Sequence, residues 1–121
     1  MSKEIRIKLD ENNYFEHVVR ILKAVPPFSK LRPKELQVYS RLLYHYNKLQ
    51  DSTDQSFEQI NESLFNYDIR RLIQEEIKIS DSSYRNILTR LRIINIINEN
   101  SLKKQFIIEY SEDISFKFFN K

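Results

Sequence analysis

Ile69-Arg70-Arg71-Leu72-Ile73-Gln74-Glu75-Glu76-Ile77-Lys78-Ile79-Ser80-Asp81-Ser82-Ser83-Tyr84-Arg85-Asn86-Ile87-Leu88-Thr89-Arg90-Leu91-Arg92 is the stretch on which the fold turns. Ile69, Leu72, Ile73 and Ile77 recur at steps of three and four, the spacing of one helix face. Asn66 precedes them as an N-cap, and Asp68 falls in the first turn, where a carboxylate meets unpaired backbone N–H groups. Lys78-Ile79 interrupts the period and predicts a tight turn, with Ile79 plugging the space between two helices. Ser80 caps the second helix, which runs from Asp81 to about Ile94. Tyr84, Ile87, Leu88 and Leu91 fall on its inner side.

The opposite side of that second helix carries Ser82, Ser83, Arg85, Asn86, Thr89 and Arg90. These residue types suit nucleic acid: Arg pairs with guanine, Asn with adenine, and Ser or Thr with either. Ser82, Ser83, Arg85, Asn86 and Thr89 are expected nearest to bases, and Arg90 and Arg92 at phosphates. Ile93-Ile94-Asn95-Ile96-Ile97 then leads into a strand, and Asn98-Glu99-Asn100-Ser101 reads as a turn in which either Asn is able to adopt the left-handed conformation. Gln105 to Tyr110 reads as the returning strand. Lys103 and Lys104 would sit near the tip of this hairpin, at residues 98–104.

Outward from this centre, Ile5, Ile7 and Leu9 alternate with Arg6 and Lys8, the period of a short strand. Asn12 or Asn13 is placed to cap a helix reaching about Ala24, with Phe15, Val18, Val19 and Leu22 on its apolar face. Val25-Pro26-Pro27 ends it, because a residue before proline is driven out of the α region. Pro33 fits the first turn of a long helix through about Leu49. Its apolar face is wide: Leu36, Tyr39, Leu43 and Tyr46, broadened by Val38, Leu42 and Leu49. Such a face suits either a central helix touched on two sides or one that also meets a second copy of the chain. Asp51 to Ser56 is a polar loop, and residues 57–65 fit one or two helical turns. At the far end Ile114, Phe116 and Phe118 alternate with Ser115 and Lys117, and Phe119 adds a fourth apolar group. The simplest partner of this strand is Ile5-Ile7-Leu9, although aromatic residues are also favoured anchors between chains.

With 121 residues, the chain has the length of one folding unit. Hydrophobic residues at 40% and charged residues at 31% are ordinary for a globular protein. No apolar run approaches the roughly 20 residues of a membrane span. Met1-Ser2-Lys3-Glu4-Ile5-Arg6 has no apolar secretory core, so a cytoplasmic location is expected. Cysteine is absent and His17 and His45 are the only histidines, which argues against disulfides and a structural zinc site. Glycine is absent too, removing any glycine-rich phosphate loop and forcing every left-handed position onto another residue. The richness in Ile, Asn and Lys fits AT-rich coding, as in a low-GC bacterium or its phage. No nucleophile elbow, metal box or phosphate loop appears, and both histidines read as partly buried structural groups. No enzyme, cofactor or metal is therefore expected.

The net charge of +3 is compatible with a nucleic-acid partner. From Asp68 to Lys104, eight basic residues face five acidic ones, so the surplus in this segment is also three. Two readings of these arginines stand: contacts to nucleic acid, or a solvated helix face.

Residues 33–110 resemble a winged helix-turn-helix domain, broadly of the MarR-like or replication-initiator kind, and are similar to small DNA-binding proteins of phages. The resemblance implies an α+β, mainly α fold. A strand-helix extension over 1–32 would pack on a winged helix-turn-helix over 33–121 that ends in a strand. It further implies a recognition helix at 81–94 in the major groove of double-stranded DNA and a wing at 98–104. Ser82, Ser83, Arg85, Asn86, Thr89, Arg90, Arg92, Lys103 and Lys104 would then form the DNA-binding set of a transcription or replication regulator. The regulator could also act as a homodimer, and the alternative is a module of the same fold that docks on a protein such as RNA polymerase, a replication complex or a virion component. The sequence departs from the family pattern at three places. Gln74 stands where a small residue is usual, and Lys78 and Asn95 stand where glycine is usual.

Overall fold

A computed structural model describes the backbone of residues 3–8, 10–110 and 113–118, with side chains for 10–110. The fold is α+β and mainly helical. In chain order it comprises β1 (Lys3–Lys8), α1 (Glu11–Ile21), α2 (Pro33–Ser52), α3 (Phe57–Leu64), α4 (Tyr67–Ile77), α5 (Asp81–Ile93), β2 (Ile97–Asn98), β3 (Ser101–Leu102) and β4 (Asp113–Phe118).

The 20-residue α2 is the axis of the molecule. Arg32 precedes it, Pro33 begins it, and the Glu35 carboxylate reaches back to accept from Arg32 N–H at 3.0 Å, closing one otherwise unpaired donor. Leu36, Val38, Tyr39, Leu42, Leu43 and Tyr46 are buried, and α1, α3, α4 and α5 all pack on α2. The wide apolar face is thus covered from within the chain. Phe15 and Val19 of α1, Ile60 and Leu64 of α3, Ile73 of α4, and Tyr84, Leu88 and Leu91 of α5 complete one continuous core. Ion pairs brace its surface. Arg41 of α2 bonds Glu76 of α4 at 2.9 Å and Asn12 O of α1 at 2.9 Å, with its guanidinium over the Tyr44 ring.

Several local expectations give way. Asp10, not Asn12 or Asn13, caps α1 by accepting from Asn13 N–H, because the first apolar contacts, Tyr14 and Phe15, begin one turn later. The α-helix stops at Ile21 and continues to Ala24 as a 3₁₀ turn. His17 is exposed, since it lies on the side of α1 opposite Phe15 and Val19. Leu72 is 45% exposed. Ile69, Ile73 and Ile77 lean progressively one way around α4, and Leu72 falls about 100° from Ile73 on its outer side.

The expected returning strand from Gln105 to Tyr110 does not form. β3 is only Ser101–Leu102, and Lys104–Phe106 is a 3₁₀ turn. Side chains take the place of a partner strand over 102–110. Asn61 Oδ1 accepts from Leu102 N–H at 2.8 Å, and Tyr39 Oη donates to Phe106 O at 2.6 Å. Asn47 donates to Ile108 O and accepts from Tyr110 N–H, both at 3.0 Å. The segment meets its backbone requirements through three residues of the helical core.

β1 pairs antiparallel with β4, Ile5 opposite Phe116 and Ile7 opposite Ile114. That is the within-chain partnership expected from their alternation. The readings on Leu9 and Phe119 lie outside the described residues.

Candidate nucleic-acid interface

Two local features set the position of α5. The first is the turn from α4. Asn66 caps α4 by accepting from Ile69 N–H at 3.1 Å, and the helix ends at Lys78 in the left-handed conformation, φ 57° and ψ 57°. Ile79 N–H then bonds Gln74 O, and the Ile79 side chain packs against the core between the helices. Ser80 caps α5 by accepting from Ser83 N–H at 3.1 Å. The second feature is the exit. Asn95 is left-handed at φ 70°, turning the chain from α5 into β2, and Lys103 Nζ donates to its Oδ1 at 2.7 Å.

Lys78 and Asn95 are the only residues with positive φ among those described. The hairpin turn at Glu99–Asn100, where either Asn is able to adopt the left-handed conformation, has no positive φ. Gln74 donates to Asp81 Oδ1 at 2.8 Å and so ties the end of α4 to the start of α5.

Tyr84, Leu88 and Leu91 anchor α5 inward, leaving Ser82, Ser83, Arg85, Asn86 and Thr89 exposed along its outer side. Ser80 and Ser83 hydroxyls bond each other at 3.0 Å, and Thr89 donates to Arg85 O at 3.1 Å, so both are held locally. Asn86 has no hydrogen-bond partner among the described residues and offers its whole amide to a ligand.

The helix is a ridge between two grooves. One, of about 320 Å³, is floored by Tyr84 and Leu88 and rimmed by Arg70, Arg85 and Arg92. The other, of about 520 Å³, lies toward the start of α2 and is lined by Arg32, Lys34, Glu35, Arg90, Asn86 and Ser83. A cavity of similar size between α1, α2 and α4 is occupied at its edge by the Arg41–Glu76 pair.

The remaining expected contacts are not all together. Arg90 points back to α2. It stands 3.4 Å from the buried Glu35 carboxylate and donates to Lys30 O at 3.4 Å, though its Nε makes no linear hydrogen bond. Arg92 donates through Nε to Glu99 O at 2.8 Å and through Nη2 to Asn100 Oδ1 at 3.1 Å. Lys103 is taken up by Asn95, and Lys104 lies over the Phe57 ring of α3 at 4.9 Å. The strands are two residues each, so the hairpin tip is Glu99–Asn100 and the lysines follow the hairpin rather than cap it.

Arg70, Arg32 and Lys34 line the grooves without having been singled out from sequence. For Arg70 a faint signal existed: it precedes Gln74 by one helical turn, so both side chains reach Asp81 together. Arg70 Nε is 3.3 Å from Asp81 Oδ1, and Arg85 Nε is 3.1 Å from Oδ2. Burial pushes the Tyr84 phenol above its usual range, and the Arg70 charge nearby pulls the other way. Among the described residues no group of His, Asp and Glu is placed to hold a metal ion, and no helix is long and apolar enough to cross a membrane.

No protein-family model, curated protein or solved structure matches the chain.

Proposed function

We propose that this protein binds double-stranded DNA, with α4 and α5 as a helix-turn-helix, α5 in the major groove, and the hairpin over 97–102 as a short wing. Its role is then that of a regulator of transcription or replication, in a bacterial or phage setting. The observation that carries this reading is the unpartnered Asn86 amide on a ridge flanked by Arg70, Arg85 and Arg92 on one side and Arg32 and Lys34 on the other. An exposed amide between two basic rims fits a base edge between two phosphate backbones.

Duplex titration by fluorescence anisotropy at two salt concentrations tests it. Binding that weakens steeply with salt is expected, with Asn86→Ala losing about 1–3 kcal/mol of discrimination at one base pair. Absence of binding to any duplex at low salt overturns the reading.

One observation favours a second reading, in which the same helix docks on a protein. Ile93, at the end of α5, is 70% exposed. In that case Ile93→Ser abolishes partner capture and leaves duplex titrations flat for both forms.

A further inference from the structure

The groove between α4, α5 and the hairpin tip has a charge that its own neighbours do not cancel. Arg70 and Arg85 share a single carboxylate, Asp81. Asp81 Oδ1 is already taken by Gln74 at 2.8 Å. Arg70 Nε, a buried atom 3.3 Å from that same oxygen, makes no hydrogen bond. Arg92 is fixed at the opposite rim by two neutral groups, Glu99 O and the Asn100 side chain, so its charge has no counter-ion there. Three guanidinium groups and one carboxylate leave a surplus of two positive charges around the groove.

The floor sharpens this field. Tyr84 is 1% exposed and Leu88 8%. Charges above such a low-dielectric floor act more strongly than on an open helix face. Arg70 is also held from behind, its guanidinium 5.3 Å from the Tyr67 ring, so little ordering is needed when an anion arrives. Guanidinium forks match the oxygens of a phosphoester.

We infer that this groove is a phosphoester seat, in which Arg70 and Arg85 grip one phosphate of the nucleic-acid backbone from the α4 side while Arg92 faces it from the hairpin. The inference rests on the DNA-binding reading and adds Arg70, a residue of α4, to the interface. Asp81 orients the two arginines in the unbound protein, and Arg85, 66% exposed, is the one free to swing from it to the phosphate.

The test compares the salt dependence of duplex binding for the full chain, Arg70→Gln, Arg85→Gln and Arg71→Gln. Arg71, outside the groove and paired with Glu75, serves as the control. Loss of one phosphate contact lowers the slope of log K against log salt by about one for Arg70→Gln, equally on every sequence. Arg85→Gln lowers it likewise, and Arg71→Gln leaves it unchanged. An unchanged slope for both groove variants, with the parent chain still binding duplex, overturns the seat and leaves the DNA-binding reading standing. Arg70→Lys keeps the charge and guards against a folding defect; its slope stays at the parent value while its affinity falls. Side-chain Nε resonances of Arg70 and Arg85 are also followed on titration with inorganic phosphate alone. Shifts there without any duplex binding identify a seat for a free phosphoester and sink the DNA-binding reading instead. No shifts, together with no slope change, remove both sources.

Discussion

Arg92 Nε donates to Glu99 O at 2.8 Å, so the last turn of α5 grips the tip of the hairpin that follows it. The β2–β3 ladder alone spans only two residue pairs, too few to be stable without support. Arg92→Ala removes that grip and the bond to Asn100. About 1 kcal/mol of stability is expected to go, the low range for a charge-assisted bond near solvent. Amide hydrogen exchange at residues 97–102 should speed up well beyond any change in α2. Equal acceleration across both regions would show that the contact is not local.

Lys78 pays a steric cost that glycine would not. A side chain in the left-handed region costs roughly 1–2 kcal/mol, and glycine gives back about 0.5–1 kcal/mol through the freedom of the unfolded chain. Lys78→Gly should therefore raise stability by roughly 0.5–1 kcal/mol in urea unfolding. Asn95→Ala should lower it by about 1 kcal/mol or more, because it also strips Lys103 of its acceptor. A loss of stability in Lys78→Gly contradicts the strain assigned to that turn.

Asn47 is buried at 4% exposure and bonds both Ile108 O and Tyr110 N–H. Asn47→Leu fills the space but leaves those two backbone groups without partners. The expected loss is about 2–3 kcal/mol, read from the midpoint of urea unfolding at constant slope. A near-neutral effect would mean that solvent reaches this segment.

Glu76 gives the chain an acid-sensitive brace. Burial alone would raise its carboxyl, but hydrogen bonds from Arg41 and His45, with their charges, outweigh it and hold the group below its ordinary value of 4.5. The unfolded chain therefore takes up this proton first as pH falls. The contribution is complete above about 4.5 and drains away as pH drops through the lowered native value. Stability measured from pH 7 to pH 3 should fall less steeply in Glu76→Gln than in the parent chain. Parallel curves would remove Glu76 from the acid response.

Helix positions were legible in the sequence wherever apolar spacing and a capping residue agreed. Asn66, Ser80 and Pro33 stand at the starts of α4, α5 and α2 as their chemistry requires. Residues 105–110 read as a strand because Phe106, Ile107 and Ile108 have strand composition, while the groups that satisfy their backbone, Tyr39 and Asn47, lie more than 60 residues away. No local pattern reveals such a partner. The outward face of α5 was equally legible, since periodicity alone sorts Tyr84 from Asn86. The fates of Arg90, Lys103 and Lys104 were not, because each is settled by a tertiary neighbour: Glu35, Asn95 or Phe57. The value of Arg70 to the groove likewise arises only when α4 and α5 are set side by side.

The register of β1 and β4 has a kinetic consequence. Lys3 stands opposite Phe118, so this ribbon joins residues almost the whole chain apart, whereas the helices are built from close neighbours in sequence. Closing so long a loop carries the largest entropic barrier of any strand pairing among the described residues, and topology of that kind slows assembly. Packing on α2 shortens the effective loop beforehand. The helices should therefore dock first in refolding, and the ribbon should zip last, on a scaffold that no longer depends on it.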